Sequence, residues 1–266
     1  MINFYILIFI LGLIAGSFLN VVICRLKNGE KIVRSRSHCP HCKKKLNWYE
    51  LIPLISFIIQ LGKCRKCKQA ISWQYPLVEF FTGLLFLSGF IYSAPGGTFS
   101  SWQFPYVIYN LFLWIVFCFL IVIFVYDLKH YLVADKVVYP AIIISLGFNI
   151  YLWLSSGQFL VFASAIVAAL VAGGIFEAII LISKGKWMGI GDVKIGILMG
   201  LILGLPQILV ALFLAFLTGA IVSIILLILK KKNLKSEIPF GPFLVLATII
   251  SLFFGGVLLN WYLGLI

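Results

Sequence analysis

Long apolar runs, separated by short polar or basic segments, set the pattern of the chain. Runs near the ~20 residues needed to cross hydrocarbon occur at about residues 2–24, 77–93, 105–126, 137–154, 159–183, 207–229 and 241–264. An eighth run, 193–205, is short and broken by glycine. The pattern predicts an all-α polytopic membrane protein with about eight transmembrane helices. Neither an internal repeat nor a low-complexity linker is evident. The expected organisation is a first transmembrane helix (1–24), a loop (25–76) and a membrane helical bundle (77–266).

Composition agrees: 63% of the 266 residues are hydrophobic and only 11% are charged, against about 25% charged in soluble domains. The net charge of +13 would suggest nucleic acid in a soluble protein, but here it reports sidedness first. With eight spans, all 21 Lys and Arg fall on one side, in the 25–75 loop, the turns at 127–136 and 184–194, and KKKNLK at 230–235. The opposite loops, SAPGGTFSSWQ, SSGQ and GLPQ, contain none. Retention of basic segments in the cytoplasm predicts that both termini lie outside and the basic loops inside. A count of seven would split the basic loops between the two sides. The first run lacks a basic n-region and is followed at once by Arg25 and Lys27, so it reads as a retained anchor. No nucleic-acid partner is expected.

The 25–76 loop carries two CxxC pairs, Cys39/Cys42 and Cys64/Cys67. In a cytosolic loop this spacing predicts a structural four-thiolate zinc site, each tight turn aiming two sulfurs at one ion. Disulfides are the alternative, and a reducing cytosol argues against them. His38 and His41 are weaker candidate ligands, because four thiolates already close a site. Cys24 and Cys118 read as packing residues. The apolar run LIPLISFIIQLG at 51–62 is too short to span and contains Pro53, which leaves it in the interface or against the bundle. The surrounding Lys and Arg can attract anionic headgroups or an anionic ligand, or can be a solvated face.

Two acids stand where apolar runs meet basic turns. Asp127 closes the third run in "FVYDLKHYLVAD", and Asp192 opens the short run in "MGIGDVKIG". The topology puts both at one membrane depth, where a close pair would share a proton and activate water as aspartic proteases do. Gly189 and Gly191 would let the backbone turn sharply there and let a peptide or water approach. The plainer reading makes each acid a helix cap or a partner of Lys129, Lys136 or Lys194. Asp135 rivals Asp127 but reads more simply as a solvated cap. Glu177 either pairs with Lys184 or lines a polar cavity.

Five ordered stretches, GSFLNVVICRL (16–26), the double CxxC loop with ISWQYPLVE, the 127–135 segment, MGIGDVK and IPFGPFL (238–244), resemble the type IV prepilin peptidases. The resemblance runs over nearly the whole chain. It implies a GxGD-type aspartic endopeptidase of the bacterial cytoplasmic membrane that cuts leaders from type IV prepilins or pseudopilins at the cytoplasmic face. It further implies N-methylation of the new N-terminus with S-adenosylmethionine. The catalytic aspartates of the family fall on Asp127 and Asp192, its active-site glycines on Gly189 and Gly191, and its metal-binding cysteines on Cys39, Cys42, Cys64 and Cys67. Ala134 departs from the proline common in the family. No glycine fingerprint for a nucleotide is present, so no residue is named for S-adenosylmethionine. A basic leader and a basic loop should repel, so the leader is expected to be guided by Glu50, Glu79 or the negative charge of the aspartate pair itself. Two other classes compete on the residues alone: a non-enzymatic zinc-loop assembly module, and a transporter relaying ions through Asp127, Asp192 and Glu177.

Overall fold

The structure, a computed structural model, describes residues 2–28, 37–93, 104–230 and 238–264. The predicted SAPGGTFSSWQ loop beyond Ser93, the basic stretch 29–36 and most of the KKKNLK run lie outside the described residues. In hydrocarbon every backbone N–H and C=O must be satisfied within the chain, so the apolar runs become helices. They are α1 (Ile2–Asn28), α3 (Gln74–Ser93), α4 (Phe104–His130), α5 (Asp135–Ser156), α6 (Phe159–Ser183), α7 (Ile190–Leu203), α8 (Gln207–Ile228) and α9 (Gly241–Leu263). A short α2 (Ile55–Ile59), preceded by a single 3-10 turn at Trp48–Leu51, lies in the loop after α1.

Among the described residues seven helices are long and apolar enough to cross a membrane. The protein is therefore multi-pass, and the eighth predicted span is α7. At 14 residues its length is about 21 Å, short of the ~30 Å hydrocarbon core. It starts three residues before the expected 193, which brings Asp192 inside its first turn.

The helices fall into two compact units, residues 1–122 and 123–266. In the first, α1 crosses α3 with the backbones nearly touching. A Cβ on Gly12 would meet Gly83 Cα at 2.7 Å, and one on Gly16 would meet Glu79 Cα at 2.7 Å. Small residues four apart allow this approach, and without a hydrophobic force between helices in lipid it is the approach that yields dispersion energy. One turn further along α1, Asn20 donates to Tyr75 O (3.1 Å) and accepts from Gln74 Nε2 (3.2 Å). The aromatic ring of Phe86 stacks on Trp114 at 5.0 Å, and the Trp114 indole N–H donates to Phe86 O.

In the second unit the short α7 packs against α5, α6, α8 and α9. Gly196 and Gly200 form its contact line with α6, where a Cβ on Gly200 would run into the backbone of Ala168 and Ala169. Asn149 of α5 ties down the far end of α7 by donating to Leu201 O (2.9 Å). Gly256, by contrast, has nothing within 4 Å of a built Cβ. Gly200→Ala is therefore expected to destabilise the detergent-solubilised protein by about 1–3 kcal/mol through overpacking. Gly256→Ala should be neutral or slightly stabilising because alanine favours helix. Thermal unfolding of the two variants checks the contrast.

Candidate active site and metal centre

Asp127 occupies the last turn of α4 and is 5% exposed; Asp192 lies in the first turn of α7 and is 9% exposed. Helix α4 ends just beyond, where Tyr131 adopts φ 56° and returns its N–H to Asp127 O at 2.8 Å. The chain then passes through 132–134 into α5. The two carboxyl groups lie close enough for the charge of Asp127 to act on Asp192. Both acids belong to the second unit, so one compact body holds the pair.

A buried carboxylate needs donors. Each acid takes one from the start of a helix. Gly189, the residue capping α7, donates its N–H to Asp192 Oδ2 at 3.3 Å, and Asp192 N–H returns to Gly189 O at 3.1 Å. The first turn of α7 also presents its positive dipole end to this carboxylate. Asp127 accepts the backbone N–H of Gly241, the first residue of α9. At that helix start Pro242 has no N–H, and the N–H of Phe243 is already bonded to Phe240 O. Of these three residues only Gly241 has a donor to give. A side chain there would displace the acid as well, since its Cβ would meet Asp127 Oδ2 at 2.5 Å and Ile195 Cδ1 at 3.1 Å.

The two glycines before Asp192 differ in kind. A Cβ on Gly191 would strike Val133 Cγ2 at 2.5 Å, so that position is closed by the 132–134 link. A Cβ on Gly189 meets nothing nearer than Gly191 N at 3.9 Å, so that side of the turn is open to an approaching group. Neither has positive φ; the left-handed turn in this segment falls on Lys184 and Gly185, at φ 52° and 74°. The expected sharp turn is thus made earlier, and the glycines at the acid serve close approach.

The four loop cysteines converge in the first unit. Their sulfurs all lie within 4.8 Å of one another, and Cys39 Sγ is 3.9 Å from Cys67 Sγ. A tetrahedral zinc with ~2.3 Å bonds to sulfur has edges of about 3.8 Å, so the donor set and its spacing fit that ion. Each half is the same ten-residue knuckle, SHCPHCKKKL at 37–46 and GKCRKCKQAI at 62–71. Cys39 N–H donates to Lys44 O and Cys64 N–H to Gln69 O, both at 2.9 Å. Lys43 and Lys68 take the matching left-handed φ of 55° and 58°. Leu46 N–H donates to Ser37 O as Ile71 N–H does to Gly62 O. The chain therefore does hold an internal repeat, a short knuckle present in two copies at 37–46 and 62–71. The backbone N–H groups of Cys67 and Lys66 push the Cys64 thiol down to about 6, while desolvation and the neighbouring thiols push Cys67 up to about 11, so these crowded thiols lose their protons in separate steps. His38 and His41 are not among the converging donors.

The remaining acids resolve differently. Asp135 is exposed at the start of α5 and pairs with Lys194, so that lysine serves neither buried aspartate. Glu177 is exposed on α6, without an ion pair to Lys184. Two of the expected leader guides are committed inside the fold. Glu50 binds Lys44 Nζ at 3.1 Å and accepts the Asn47 N–H at 2.9 Å. Desolvation opposes its charge, but those two partners outweigh it and hold the carboxyl below its usual range. Glu79 is buried and accepts the Leu54 N–H at 2.9 Å. Gly241 is the site residue that sequence reasoning did not single out, although it lies within the IPFGPFL stretch at 238–244.

Residues 10–93 match the bacterial peptidase A24 N-terminal domain, and residues 114–224 match the type IV leader peptidase family. The chain is 31% identical over 290 residues to a prepilin leader peptidase/N-methyltransferase of Legionella pneumophila, covering 98% of this chain and 94% of that protein. It is 32% identical over 289 residues to the protein so named in Aeromonas hydrophila, covering 98% and 94%. For Bacillus subtilis the figures are 31% over 259 residues, with 97% of each chain covered. The chain belongs to the type IV leader peptidase family. No solved structure gives a significant match.

In this family member the thiol geometry has a direct consequence. Protein purified without chelator is expected to carry about one zinc per chain, the stoichiometry of a four-thiolate site. Cys39→Ser or Cys64→Ser should lose most of it, and Cys118→Ser should retain it, as measured by elemental analysis.

Proposed function

We propose that this protein is a prepilin leader peptidase and N-methyltransferase, a membrane aspartic endopeptidase that cuts leaders from type IV prepilins or pseudopilins. The observation that carries the cleavage reading is the buried, electrostatically coupled pair Asp127 and Asp192, each given a backbone donor by a helix start. Peptide hydrolysis by such a pair needs no covalent enzyme intermediate. The ionised carboxylate takes a proton from water, and the protonated one hydrogen-bonds the scissile carbonyl. The resulting tetrahedral species collapses as the first acid returns its proton to the leaving amine. The pair titrates as a unit. Open space at Gly189 provides the approach for the peptide backbone.

The site works at the cytoplasmic face of the bacterial inner membrane, with both termini outside; the one-sided distribution of the 21 Lys and Arg supports this orientation. The substrate's apolar helix stays in the bilayer while its hydrated leader meets the aspartates. Cys39, Cys42, Cys64 and Cys67 hold a structural zinc that closes the two knuckles on each other. Transfer of a methyl group from S-adenosylmethionine to the new N-terminus is supported by the names of the relatives over nearly their whole length.

Incubating the purified enzyme with a prepilin and weighing the product by mass spectrometry tests both activities together. Asp127→Asn and Asp192→Asn should each abolish cleavage while the protein remains folded and inserted; an active Asp192→Asn enzyme would refute the mechanism. Gly241→Ala should lower kcat about 10- to 100-fold, the range expected when a positioning contact to a reacting group is displaced. Lys194→Ala should change turnover by less than about threefold, because its exposed ion pair with Asp135 contributes little.

A further inference from the structure

Between the two cysteine knuckles the chain forms a finger, residues 47–61, made of the 3-10 turn at Trp48–Leu51 and α2. Its large apolar side chains point outward: Trp48 is 77% exposed, Ile58 68% and Leu61 84%, and Ile55, Ile59 and Trp73 at its base are also exposed. So many large apolar side chains exposed on one short segment mark a surface that something else covers.

The direction of the finger identifies the occupant. The Leu54 N–H donates to Glu79 Oε2 at 2.9 Å. Glu79 stands five residues into α3, a membrane-crossing helix that begins at Gln74, and is therefore about 7.5 Å along the helix axis from that start. The Phe57 ring meets Trp73 at 5.2 Å, one residue before α3. The finger thus folds back along the opening turns of a spanning helix instead of projecting away from it. Those contacts set it level with the start of that helix, and an interfacial segment buries its apolar side chains about 5–10 Å below the headgroups.

The residue types fit that level. Trp48, Tyr49 and Trp73 are the kind that gather where hydrocarbon meets water. Arg65 lies 5.1 Å over the Tyr49 ring, and Lys63, Lys66 and Lys68 on the adjoining knuckle are exposed. These cations stand next to the apolar tip, the arrangement that binds anionic headgroups. The finger's backbone is also largely closed: Gln60 N–H bonds Ser56 O, Leu61 N–H bonds Ile58 O and Gly62 N–H bonds Phe57 O. A segment entering the interface needs that closure.

We propose that the 47–61 finger is an interfacial anchor that inserts Ile58, Ile59 and Leu61 into an anionic bilayer surface and so holds the four-cysteine centre at the membrane. The test uses the full-length protein reconstituted in vesicles of phosphatidylglycerol and phosphatidylethanolamine, without pilin. With the photoreactive residue p-benzoylphenylalanine placed at Ile58, irradiation should yield phospholipid adducts as the main product by mass spectrometry. In the unlabelled protein, lipids brominated near the top of the acyl chain should quench most of the emission that Trp48→Phe removes, and aqueous acrylamide should quench little of it. Adducts confined to this chain, or formed only with added pilin, would overturn the proposal by making the patch a protein surface. Trp48 emission quenched by acrylamide but not by brominated lipid would overturn it by placing the finger in water.

Discussion

A carboxylate carried into an apolar helix bundle must be given donors by the protein, because neither lipid nor packed side chains can solvate it. Here the donors are the first N–H groups of α7 and α9, from Gly189 and Gly241. That requirement fixes much else in the second unit. The end of α4 has to meet the start of α9, and the start of α7 has to lie within electrostatic reach of both. Helix starts are the natural source, since their N–H groups have no partner inside the helix. The same dipole ends that favour a charged aspartate oppose the desolvation that favours a neutral one.

Small residues let the bundle meet that geometry. Helix α7 is short, and its start carries Asp192 within electrostatic reach of Asp127 at the end of α4. Its position depends on Gly196 and Gly200 lying flat on α6 and on Asn149 holding its far end. Gly191 admits Val133, and Gly241 admits the carboxylate of Asp127. Each of these contacts is one that a single methyl group would disturb, which ties the packing of the helices to the alignment of the acids.

The sequence made the helices legible because a bilayer permits few alternatives to a 20-residue apolar run. It made Asp127 and Asp192 legible because charge is rare there, and the cysteines because their spacing is that of a metal knuckle. Several boundaries were less visible. Helix α3 starts at Gln74, not 77, and α7 at Ile190, not 193, since polar residues in a first turn look like loop in a hydropathy profile. The parts played by Gly241, Glu50 and Glu79 were hidden for a different reason. Gly241 serves an acid 114 residues earlier in the chain, and Glu50 and Glu79 looked available only because their donors, Lys44, the Asn47 N–H and the Leu54 N–H, were unknown. The duplicated knuckle escaped notice because only three of its ten positions, two cysteines and a lysine, are identical in both copies.

Pro242 adds a consequence of its own. By withholding an amide hydrogen beside Gly241, it leaves α9 with a single donor at its tip, already engaged by Asp127, while Phe243 is satisfied by Phe240. Cutting a peptide creates a fresh C-terminal acid on the departing leader, and a helix end with idle amides would clasp that acid and slow its exit. This end has no vacancy to offer a second carboxylate.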